Sequence, residues 1–178
     1  MCCNALMTTL AMILLLAPTP QAEGRPSITI ETVQADGVTV THLTMPWGPE
    51  TFAAMERPGE GFYNRRSWPF ARMETSEPLT IGDVALPPGN YALVFHPNTP
   101  DDAGMSLEVR RIAPGEFLQA GNVMTRTPDG ETLWKAPVVF ETVDTTAPSL
   151  AIRVLPADAG FTLEVHYGDR QTRRAFGG

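Results

Sequence analysis

The sequence predicts an all-β protein: a single antiparallel β-sandwich or jelly roll of about eight or nine strands, with at most short helical turns. Three observations predict it. Short runs alternate with period two, as where Phe161, Leu163, Val165 and Tyr167 interleave with Thr162, Glu164 and His166. Turn chemistry separates the runs, among them Asp36-Gly37, Pro128-Asp129-Gly130 and Gly168-Asp169. The 15 glycines and 17 prolines are spread along the chain, which frequent turns between short strands explain better than a disordered tail does.

Residues 1–22 carry no charge, and Ala5 to Ala17 form an apolar run. The run is too short to span a bilayer comfortably and suits the core of a signal peptide, broken by Pro18 and Pro20 and followed by Gln21-Ala22 as a cleavage point. The expectation is a leader over 1–22 and one exported domain over 23–178, periplasmic or extracellular. Cys2 and Cys3, the only cysteines, precede the apolar run, so a mature chain would hold no disulfide, thiolate metal site or cysteine nucleophile. Removing the leader leaves roughly 155 residues, enough for a real core. The net charge of -7 disfavours nucleic acid and anionic membranes as partners, and no stable membrane insertion is expected after leader removal.

In chain order, Ser27 to Val33 and Val38 to Met45 read as a hairpin around Asp36-Gly37, with His42 on the face of Val38 and Val40. Pro49 to Glu56 can make two helical turns, with Pro and Glu in the first. Leu79 to Pro97 is the organising stretch. It reads as strand, turn, strand, with Pro87-Pro88-Gly89-Asn90 as a turn in which Gly89 takes a positive φ. Tyr91, Leu93 and Phe95 then alternate with Ala92, Val94 and His96, so both faces are largely apolar and the strand is placed centrally. Met105 to Ile112, Pro137 to Val143, Ser149 to Leu155 and Phe161 to Tyr167 are further strands, and Glu116 to Met124 holds a short helix or an extended arm. Gly168-Asp169 turns into a last strand, Gln171 to Phe176, whose end is expected to fray.

Three stretches resemble the bacterial secreted proteins catalogued as domain of unknown function 2911. They are WPFARME at Trp68 to Glu74, LPPGNYAL at Leu86 to Leu93, and TLEVHYGDRQTRRAF at Thr162 to Phe176. The chain departs from that pattern at Met45-Pro46, where the family has Arg-Pro, and at Pro69, Ala71 and Met73, where it has Arg, Gly and Asn. The resemblance implies an exported β-sandwich and no known activity.

No Gly-x-Ser-x-Gly elbow, phosphate-binding glycine loop or dinucleotide fingerprint is present. The distinctive cluster is Tyr63, Arg65, Arg66, Trp68, Arg72 and Glu74. Aromatic rings with guanidinium groups suit a flat polar ligand such as a sugar or a carboxylate, while Trp68 as a core plug and an Arg–Glu74 pair is the structural alternative. His42, His96 and His166 each lie on a predicted strand, and no His-x-His or His-x-x-x-His spacing prepositions two of them for a metal. The expectation is therefore a non-catalytic domain without cofactor that binds a small ligand or an envelope protein. A metal-assisted enzyme using the three histidines and a purely structural envelope domain stay open.

Overall fold

A computed structural model describes residues 28–35, 37–57, 67–97, 104–115 and 128–178. The strands are β1 (Ile30–Ala35), β2 (Val38–Leu43), β3 (Trp68–Thr75), β4 (Leu79–Ile81), β5 (Val84–Leu86), β6 (Gly89–His96), β7 (Ser106–Ile112), β8 (Glu131–Pro137), β9 (Glu141–Ala157) and β10 (Gly160–Phe176). The one helix among the described residues, α1, spans Pro49–Glu56, the segment the sequence marks. The architecture is an all-β antiparallel sandwich and not a closed barrel. A six-stranded sheet in the order β1-β2-β3-β6-β7-β8 forms one layer, and the β9–β10 pair forms the other.

Strand β6 sits at the centre of the large sheet, between β3 and β7. Its inner face, Tyr91, Leu93 and Phe95, joins the main core, and on its outer face Ala92 and Val94 are also fully buried. The two-faced apolar pattern foretold this position. The turn before it differs from expectation. The run from Leu79 to Leu86 folds on itself as the β4–β5 hairpin, with the reversal at Gly82-Asp83 (Gly82 φ 59°). Gly89 is not in the positive-φ region and simply begins β6. Ile81 and Val84 pair locally, so the prolines serve as an extended bridge into β6, held where the Tyr91 hydroxyl donates to the Pro87 carbonyl.

Strand β10 folds back on itself at Gly168-Asp169. Glu164 meets Arg173 and Phe161 stacks on Phe176 at 4.8 Å, although a straight strand at roughly 3.3 Å per residue would set the members of each pair tens of ångströms apart. The expected fraying of the end does not occur. Phe176 is buried, and Gly177 exchanges two backbone hydrogen bonds with Thr80, which latches the segment to the β4–β5 hairpin. Strand β8 was not expected: its alternation is weak because it is an edge strand, mostly half-exposed or exposed.

The layers meet in an aromatic cluster. Tyr167 packs edge-on against Trp47 at 4.8 Å and lies 5.4 Å from Trp68 and 6.0 Å from Phe52, while its hydroxyl donates to the Pro46 carbonyl at 2.7 Å. Burial pushes the Tyr167 phenol pKa up, which keeps it a donor. Pro at the first position starts α1, and its buried Phe52 and Met55 close one part of the core. A backbone bridge between Pro46 and Ser149 ties the chain beyond β2 directly to β9.

The Trp47 ring also occupies the space beside Gly168 (φ 65°): a Cβ there would lie 2.0 Å from the indole. Gly168→Ala therefore combines left-handed strain with a clash against a packed ring, and about 2–4 kcal/mol of stability should be lost. Gly115→Ala is the control, because a Cβ at Gly115 (φ 76°) meets no atom of the described residues within 4 Å and carries the conformational cost alone. Thermal unfolding of the two variants should show a clearly larger fall for Gly168→Ala, and equal falls would mean that the Trp47 contact is unimportant.

Candidate functional site

Because strands alternate, the register of the large sheet fixes which side chains share its outer face. Across β1, β2, β3 and β6 one row reads Gln34, Thr39, Glu74, Asn90. The next reads Thr32, Thr41, Arg72, Ala92, and continues through Arg110 to Thr132. Further along the strands, Val94 pairs with Glu108, and His96 pairs with Ser106. The inner face takes the apolar partners, so the outer face collects the chemistry.

At one end of this face Arg72 reaches Glu74 along β3, with Nη2 to Oε1 at 2.7 Å. Glu74 also lines a cleft of about 630 Å³ at the β1–β2 turn, together with Gln34, Thr39, Ser76 and Asn90. These walls are amides, hydroxyls and one carboxylate, with both donors and acceptors.

Towards the other end a hydrogen-bonded line crosses three strands. Ser67 immediately precedes β3 and lies opposite His96, because Trp68 pairs with Phe95. Ser67 Oγ is 3.2 Å from His96 Nδ1, and His96 Nε2 contacts Glu108 Oε2. Glu108 is 2% exposed, and its other oxygen accepts from Arg110 Nε at 2.8 Å and from the Thr132 hydroxyl. Arg110 is itself fixed by the Gly130 carbonyl at 2.9 Å. Burial pushes the Glu108 carboxyl up, but the hydrogen bonds from His96, Thr132 and Arg110 outweigh it and hold the pKa down at about 2.

Of the sequence-marked cluster, Tyr63, Arg65 and Arg66 lie outside the described residues, as does the helix or arm at Glu116 to Met124. Arg72 and Glu74 pair on the outer face. Trp68 is buried on the inner face among Phe70, Phe95 and Tyr167, with no hydrogen-bond partner for its indole nitrogen among the described residues. The structure thus joins Arg72 to Glu74 and turns Trp68 away from both.

The histidines occupy three different settings. His42 is fully buried on the inner face beside Ala71, with Nε2 3.8 Å from Glu31, and burial lowers its pKa. His96 is on the outer face of the same sheet. His166 lies in the other layer, where its Nε2 is 3.2 Å from the Thr145 carbonyl. No group of three His, Cys, Asp or Glu side chains among the described residues could hold a metal ion.

A second buried carboxylate is structural. Glu164 points outward as its alternation requires, yet it is 1% exposed, because Arg153 and Arg173 close over it with Nε contacts of 2.6 and 2.8 Å. Burial would raise its pKa, but the two guanidinium groups lower it. The arrangement cross-ties β9 to both arms of β10.

Sequence reasoning missed Ser67, Glu108, Arg110 and Thr132. Glu108 left no distinct signal: in MSLEVRRI it alternates with the inward Leu107 and Val109 and shares its face with Ser106 and Arg110, as a solvated carboxylate would. No helix among the described residues is long and apolar enough to cross a membrane. Compared with family models, with curated proteins and with solved structures, the chain gives no match.

The Glu108 network should govern acid stability. Its folded pKa lies below the ordinary value, so its contribution is complete above pH 4.5 and is lost as pH falls towards 2. The shift is equivalent to about 3 kcal/mol. Denaturant unfolding from pH 6 to pH 2 should show a decline that is distinctly shallower in Glu108→Gln, which is less stable at pH 6. Parallel profiles for the two proteins would show that Glu108 does not control it.

Proposed function

We propose that this protein is an exported binding domain for a small, hydroxyl-rich ligand of the sugar class, held in the cleft beside Glu74. The observation that carries this reading is the row Gln34, Thr39, Glu74, Asn90, which lines one wall of a cleft of about 630 Å³. That volume lies in the range of small-molecule sites, roughly 300–1,000 Å³. Its lining offers amide and carboxylate groups that pair with vicinal hydroxyls, beside a smaller apolar share at Ala35 and Val38. Arg72 neutralises Glu74 and fixes its orientation, so the carboxylate accepts hydrogen bonds without repelling an uncharged or weakly acidic ligand. The apolar leader over 1–22 supports export, and the resemblance to the secreted family points the same way.

A thermal-shift series with neutral mono- and oligosaccharides and with dicarboxylates tests the reading. A ligand at 100 times its dissociation constant adds about 2.7 kcal/mol, a rise on the order of 5–10 °C for a domain of this size. A sugar-dependent rise that disappears in Asn90→Ala and Glu74→Gln is expected. The absence of any shift, or one that survives both substitutions, would refute the cleft as the site and favour an envelope-protein partner or a structural role.

A further inference from the structure

We propose that Ser67 is an activated nucleophile that cleaves small carboxylic esters, with His96 as its general base and Glu108 as the group that orients the base. The proposal stands apart from the sugar cleft and adds a chemical step at the other end of the same sheet face.

Three neighbouring strands present Ser67, His96 and Glu108 on one face, so hydrogen bonds spanning 29 and 12 residues fall in a single line. Arg110 and the Thr132 hydroxyl bind the far side of the Glu108 carboxylate, which keeps it ionised and fixed. An ionised carboxylate requires a donor opposite it, so the His96 proton resides on Nε2. Nδ1 is the nitrogen that faces the Ser67 hydroxyl at 3.2 Å, and in the neutral ring it carries the lone pair. A serine hydroxyl, a neutral imidazole acceptor and a buried orienting carboxylate are the three roles that nucleophilic acyl transfer needs, and roles rather than sequence order define such a group. Either ring nitrogen can serve as the base, so the use of Nδ1 towards serine is chemically equivalent to the use of Nε2.

Accessibility supports the assignment. Ser67 is half-exposed and the His96 side chain is 20% exposed, so a small substrate can reach both.

The step balances without any further reagent than ester and water. The Ser67 hydroxyl gives its proton to His96 Nδ1 as Oγ bonds to the carbonyl carbon. The carbon–oxygen bond to the leaving group breaks, and His96 returns the proton to the departing alcohol. Water then attacks the acyl–Ser67 ester while His96 takes its proton. Ser67 Oγ leaves the acyl carbon and recovers that proton, and the carboxylic acid is released.

The test uses the full chain, a fluorophosphonate probe and p-nitrophenyl acetate. Peptide mass mapping should find the phosphonyl adduct on Ser67, and ester turnover should fall to the buffer rate in Ser67→Ala. Labelling of Ser67 should slow by about 100-fold or more in His96→Asn. Ser67 unlabelled in excess probe, labelling at an equal rate in His96→Asn, or turnover unchanged in Ser67→Ala would overturn the proposal. Should His96→Asn fail to fold, nitrogen-15 NMR of the unsubstituted protein decides the point at neutral pH. The Nε2–H tautomer of His96 is expected, and the Nδ1–H tautomer would overturn the role of His96 as base.

Discussion

The sandwich depends on one ring. Tyr167 is carried by β10, yet its hydroxyl donates to the carbonyl of Pro46 and its faces and edges meet Trp47, Phe52 and Trp68. Those partners come from the segment after β2, from α1 and from β3, so this side chain is where the second layer touches three parts of the first. Buried aromatic pairs contribute through area and through edge-to-face geometry, on the order of 0.5–1.5 kcal/mol each beyond burial. The glycine that follows matters for the same reason. Gly168 turns the chain sharply and leaves the gap that the Trp47 indole fills.

That commitment of large rings to one side shapes the other. With Trp68, Phe70, Met73, Tyr91, Leu93 and Phe95 all facing inward, the outer face of the large sheet holds small or polar side chains in register rows. Ala92 and Val94 keep the centre of that face low, and polar groups gather on either side of them. Arg72 and Glu74 stand at one end, and His96, Glu108 and Arg110 towards the other. Both functional readings draw on this face because the inner one is filled.

Much of this was legible in the chain. The alternation of Tyr91, Leu93 and Phe95 with smaller apolar residues placed β6 at the centre, since only a strand covered on both sides affords two apolar faces. Pro49 and Glu50 marked α1, and Gly168-Asp169 marked the reversal within β10. Local chemistry decides such features, and local chemistry is written in sequence. The β4–β5 hairpin was hidden because three-residue strands are too short for a period to show. The line from Ser67 to Glu108 was hidden more deeply. Its members are far apart in the chain, and only the register of β3 against β6 and of β6 against β7 sets them side by side. Trp68 next to Arg72 and Glu74 suggested one cluster, but the pleat, with an irregularity between Pro69 and Ala71, sends them to opposite faces.

The Tyr167–Pro46 hydrogen bond spans 121 residues. Closing a flexible loop of that length costs about 4 kcal/mol in chain entropy beyond a constant. The β10 reversal closes across a two-residue turn, and β9 joins it through an equally tight one, so the second layer is assembled almost wholly from near neighbours. The chain thus divides its topology unequally. Its last third has low contact order and can gain structure early, whereas the sandwich exists only once that preformed ribbon finds a carbonyl near the other end of the domain.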